Sequence, residues 1–108
     1  MHESLLVLTT CGDRRQAQAL AGALVERRLA ACVNAVENVV STYRWQGEVH
    51  ADDEVLLLIK TTEDRYPALE RAIEALHGYE LPELVAVRID RGSPAYLRWL
   101  AASTEPEE

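Results

Sequence analysis

The spacing of apolar positions changes several times along the chain, and each change marks an element. Leu5-Leu6-Val7-Leu8 is a short apolar run and predicts a buried strand. Gly12-Asp13 breaks it. Asp13 reads as a helix cap, with Gln16 three residues on as a relaxed capping box. Ala17, Leu20, Ala21, Leu24 and Val25 then repeat at helical spacing, and Arg27 and Arg28 suit the negative end of that helix. From Ala30 to Thr61 the pattern becomes that of strands. ACVNAVENVVSTYRW and EVHADDEVLLLIKT each run for about 15 residues, where a strand usually has roughly 5–6, and only Gln46-Gly47 separates them. Val39, Ser41, Tyr43 and Trp45 alternate onto one face, while Glu37-Asn38 interrupts the pattern and predicts a bulge or bend.

A second helix starts at Thr62 to Asp64, with Pro67 in its first turn and Leu69, Ala72, Ile73 and Leu76 as its buried stripe. His77-Gly78 ends it, Gly78 as a left-handed cap. Glu83 to Ile89 reads as a fourth strand. Ser93-Pro94 supplies the cap and first residue of a short last helix ending near Ala102. The order β-α-β-β-α-β plus a helix predicts an α+β, ferredoxin-like domain over residues 1–102, its antiparallel sheet carrying a long hairpin. Ser103 to Glu108 reads as an acidic disordered tail. The first and third strands are apolar on both faces, although a sheet with one wet face should alternate. An overhanging hairpin is also marginal alone. Both features call for a second copy of the chain.

Composition narrows the partners. The chain has 108 residues, 48% of them hydrophobic and 27% charged, which describes one globular domain. A net charge of −7 with no basic cluster argues against nucleic acid. No apolar run reaches the roughly 18–20 residues of a membrane span. The first residues lack the charged and cleavable pattern of a secretory signal, so the expected location is the cytoplasm. Two Cys and three His, all scattered, make neither a disulfide framework nor a closed zinc site. No nucleophile–base pair, phosphate loop or cofactor fingerprint is present, so the expectation is a protein that is not an enzyme and requires no cofactor.

Five segments occur in a specific order: Ala31-Cys32-Val33-Asn34; Ser41-x-Tyr43-x-Trp45-x-Gly47; Glu54 followed by Ile59-Lys60-Thr61-Thr62; His77-x-Tyr79-x-x-Pro82-Glu83; and Tyr96-Leu97-x-Trp99. Together they resemble the CutA divalent-cation tolerance family, over about Leu5 to Ala101. The resemblance implies a ferredoxin-like homotrimer, similar to the PII-type signal transducers, with hairpins paired between subunits. It also implies a link to tolerance of divalent metals, copper above all, with no enzymatic reaction established. Of the copper-ligand positions assigned in one member of the family, the Cys falls on Thr9 and the first His on Leu76. Only the second His is present, as His77, with Cys11 near the first position.

The candidate metal ligands are therefore Cys11 and His77, for copper or another divalent cation. Cys11 lies before a helix N-terminus, which would lower its pKa and favour the thiolate that Cu(I) prefers; its plain alternative is a small residue at a turn. His77 either ligates metal or interacts with the last carbonyls of its own helix. Cys32, Tyr43, Trp45, Glu54, Lys60, Tyr79 and Glu83 are the candidate lining of a cleft between subunits. Each also has a packing reading: Cys32 as a small core residue, Tyr43 and Trp45 as interface anchors, Tyr79 to Glu83 as a turn. Lys60 is expected to pair with a carboxylate such as Glu83, or to receive an anionic metabolite in a PII-like sensor. His50 with Asp52, Asp53 and Glu54 reads as a solvated charge run, and His2 as part of a frayed terminus.

Overall fold

The computed structural model describes residues 3–107; His2 and Glu108 lie outside the described residues. The chain runs β1 (Ser4–Cys11), α1 (Arg14–Glu26), β2 (Cys32–Trp45), β3 (Glu48–Thr62), a 3-10 turn (Glu63–Arg65), α2 (Tyr66–Leu76), β4 (Val85–Arg88) and α3 (Pro94–Ser103). The sheet order is β2-β3-β1-β4, all pairs antiparallel. This is the ferredoxin-like arrangement, with the two doubly apolar strands at its centre.

Local chemistry sets most boundaries. Asp13 accepts a hydrogen bond from the Gln16 amide at 2.8 Å and starts α1. Ser93 does the same for α3 at Tyr96, with Pro94 in its first turn. Gln46 and Gly47 both have positive φ, 51° and 84°, the two-residue turn whose twist suits a hairpin. Asn38 also has positive φ, 64°, and Glu37-Asn38 oppose Val55 alone, since Val36 pairs with Leu56 and Val39 with Glu54. The extra residue shifts the parity of β2. Val39, Ser41, Tyr43 and Trp45 therefore continue on the face occupied by Cys32, Asn34 and Val36.

One face of the sheet carries Leu5, Val7, Val55, Leu57 and Ile59 into a closed core with Ala17, Leu20 and Leu24 of α1 and Leu69 and Ile73 of α2. Thr9 lies on this face too. Its hydroxyl is fully buried and, among the described residues, has no hydrogen-bond partner. Such a group costs roughly 1–3 kcal/mol. Thr9→Val keeps the shape and removes the hydroxyl, so chemical denaturation should show a gain of about 1 kcal/mol.

The opposite face holds Leu6, Leu8, Leu56, Leu58 and Lys60, with α3 across part of it: the Tyr96 hydroxyl meets Cys32, which pairs with Lys60. Val36, Val85 and Val87 share this face and stay 41%, 49% and 53% exposed. The hairpin from Val39 to Glu54 has no third strand, because β1 reaches only Val55.

Several expectations change. The fourth strand is four residues, not Glu83 to Ile89; beyond Leu8, β1 has no β4 partner. Leu76 is 43% exposed rather than part of the buried stripe, because α2 ends there and its last turn lies beyond the sheet-packed core. Gly78 is not left-handed; His77 turns the chain to an extended conformation instead. A Cβ there would sit 3.2 Å from the Gln16 side-chain oxygen, a tight contact that the exposed, flexible Gln16 side chain can relieve by a small shift. Arg28 does not serve its own helix end. It takes a positive φ of 59°, and its guanidinium donates to the carbonyls of Ala102 at 3.1 Å and Glu105 at 2.6 Å. Thr104, in the expected tail, is buried and donates to the Leu100 carbonyl.

Candidate functional site

Two clefts meet at the end of β1. The larger, about 880 Å³, lies between the overhanging hairpin and the segment after α2. It gathers Tyr43 and Trp45 from β2, Glu54 from β3, and Tyr79 and Glu83 from the connection to β4, five of the residues expected in a cleft. β3 places Glu54 where the third strand stops, so the residue is only 8% exposed yet lines the cleft. The Tyr79 hydroxyl donates to Glu54 Oε2 at 2.6 Å. Burial and this bond hold the Tyr79 phenol well above the ordinary tyrosine range. The Tyr43 hydroxyl donates to the Asp52 carboxylate, the main reason its own pKa is raised. Tyr43 also stacks on His50, ring centroids 5.5 Å apart.

The other two residues expected between subunits, Cys32 and Lys60, do not line this cleft of the single chain. Cys32 and Lys60 face each other across β2 and β3 at the far end of the hairpin. Lys60 donates to the Asn34 side-chain oxygen, not to Glu83, which lines the cleft. Asn34 is the diagonal neighbour of Lys60 on the sheet face, within reach of a long side chain. Thr10, Glu80 and Leu81 also line the cleft. Glu80 and Leu81 sit inside the Tyr79 to Glu83 segment, whose role as a rim was legible. Thr10 carries no signal in the sequence.

The smaller cleft, about 320 Å³, is bounded by Cys11, Leu20, Leu76 and His77. Cys11 Sγ and His77 Nε2 are 4.0 Å apart. The two candidate ligands are therefore neighbours, but each is committed. A carbonyl can only accept and an amide N–H can only donate. His77 Nε2–H thus donates to the Thr10 carbonyl at 2.7 Å, and Nδ1 accepts from the Tyr79 amide at 3.1 Å. This defines the neutral tautomer and leaves neither nitrogen free. The ring closes the edge of β1 that β4 does not reach. It does not serve the last carbonyls of its own helix.

Cys11 differs from expectation more sharply. Its pKa rises from 9.0 to about 11, through burial first, then the charges of Glu54 and Asp13. Burial and these charges override the helix N-terminus, so the thiol stays protonated at neutral pH. Among the described residues no group of three or more His, Cys, Asp or Glu is placed to hold a metal ion.

The profile of the CutA1 divalent ion tolerance protein family matches residues 5–103. The divalent-cation tolerance protein CutA of Thermus thermophilus is 50% identical over 99 residues, covering 92% of this chain and 96% of that protein. Mouse protein CutA is 42% identical over 96 residues, covering 89% of this chain but only 54% of its own length. A solved structure of the Thermus thermophilus divalent cation tolerance protein superposes with a TM-score of 0.92 at 49% identity, covering 94% of this chain and 99% of that one.

Proposed function

The chain belongs to the CutA1 divalent ion tolerance protein family, and from that premise we propose that it acts in tolerance of divalent metal ions, copper above all, as a cytoplasmic homotrimer that binds the metal weakly and catalyses no reaction. The family match over nearly the whole chain carries this reading. The exposed valines on the sheet face and the unsupported hairpin support the assembly. Two cysteines that form no disulfide suit a reducing compartment.

Weak binding has a physical reason at Cys11 and His77. Copper there must displace the thiol proton and draw His77 away from Thr10. Each lost interaction subtracts from affinity, and two protein ligands leave the coordination of the ion incomplete. Affinity should therefore rise with pH, about tenfold per unit for one displaced proton, up to the Cys11 pKa of about 11. The test is Cu(I) titration under anaerobic reductant against a competing chelator, at several pH values. Cys11→Ala should abolish the pH slope and His77→Ala should weaken binding. Copper binding unaffected by either change would place the metal elsewhere.

A second reading is a PII-like sensor with a small-molecule site. The large cleft favours it, since its volume is in the range of small-ligand sites.

A further inference from the structure

The cleft beside the hairpin is built for one sign of charge. Three carboxylates line it, Glu54, Glu80 and Glu83, with three aromatic rings, Tyr43, Trp45 and Tyr79. Among the described residues none of its lining is Lys, Arg or His. Lys60, which an anionic ligand would need, is bonded to Asn34 outside the cleft. Glu54 is more than nine-tenths buried, and its only hydrogen-bond donor among the described residues is the Tyr79 hydroxyl on Oε2. Oε1 has no protein donor among the described residues and, unlike the Thr9 hydroxyl, is not closed off from solvent, so a positive partner entering the cleft can reach it.

The choice of cation follows from the rest of the wall. A bare divalent ion wants several oxygen ligands converging at short range, and no such group exists among the described residues. Aromatic faces contribute little to that coordination. They do attract an ammonium group, whose charge is spread over a weakly hydrated surface, through the ring quadrupole. About 880 Å³ also holds an organic molecule with room to spare.

We propose that this cleft binds an organic ammonium ion, with Glu54 as its counter-charge and the Tyr43, Trp45 and Tyr79 rings as its cation–π wall. This rests on the sensing reading of the cleft and is independent of copper at Cys11. Glu80 and Glu83, on the rim, set the local potential that draws cations in.

Trp45 reports the site directly. In a Trp99→Phe background its indole N–H resonance can be followed during titration of the full chain. Tetramethylammonium and butylammonium should shift it saturably, while tert-butanol, a neutral molecule of similar size, should not. Glu54→Gln keeps an acceptor for Tyr79 and removes the charge; it should weaken ammonium binding about tenfold. Glu83→Gln, at an exposed position, repeats the test without touching a buried group and should weaken binding by a smaller factor. Equal response to ammonium and tert-butanol, or full affinity in both variants, overturns the inference. A shift produced by succinate or inorganic phosphate but by neither ammonium ion overturns it while leaving the sensing reading intact. No shift with any of these probes, as when a neighbouring copy fills the cleft, overturns both.

Discussion

Val36→Asp combined with Val87→Asp should convert the homotrimer proposed above into folded monomers. The two valines lie on the sheet face opposite the core, on β2 and β4, at 41% and 53% exposure in the single chain. Water already reaches both positions in the single chain, so an aspartate there places little new strain on the fold. In an assembly the same face is covered, and each carboxylate would be buried without a partner at a cost of several kcal/mol. Light scattering should show the mass fall to one chain while the far-ultraviolet dichroism stays native. Val25→Asp, comparably exposed at 43% but on α1, is the control and should leave the mass unchanged. An assembly that survives the double change would remove this face from any interface.

Leu57→Ala should destabilise the fold by about 3 kcal/mol, within the roughly 2–5 kcal/mol known for buried leucines. Leu57 is fully buried at the middle of β3, between Thr9 of β1 and Ala35 of β2, beneath the two core helices. Strands on both sides and helices above hinder collapse of the space it leaves, so the cavity term adds to the lost transfer energy. Leu58→Ala on the next position faces the other side of the sheet, where it is only half buried, and should cost less. Urea denaturation of both variants measures the difference. Equal losses would mean that both faces are equally enclosed in solution, itself a measure of how completely another copy covers the second face.

The features legible in the sequence are those whose cause is local. The Asp13 and Ser93 caps act on amides three residues away. Gln46-Gly47 makes a turn because glycine tolerates positive φ, and Glu37-Asn38 was visible as a break in a two-residue period. The doubly apolar central strands follow from composition at consecutive positions. Tyr43, Trp45, Glu54, Tyr79 and Glu83, read from the sequence as lining between subunits, converge on one cleft within the single chain.

What was not legible depends on partners far along the chain. The acidity of Cys11 seemed set by the helix that follows it, but burial first, and then Glu54, brought close by the β1–β3 register, raise its pKa. His77 read as a metal ligand or a partner of its own helix's last carbonyls; the late start of β4, at Val85 opposite Leu8, leaves the Thr10 carbonyl for it to bind. Lys60 went to Asn34 because sheet pleating puts them on one face, and Cys32 and Lys60 lie outside the cleft because they sit at the end of the hairpin opposite its turn. The sequence by itself determined the order of elements, the turns and caps, and the long hairpin, because backbone preference and hydrophobic period are properties of neighbouring residues. Only the tertiary structure decided which polar groups share a space and which are already spent on one another, because pKa, tautomer and pocket charge are sums over atoms that the chain alone does not place side by side.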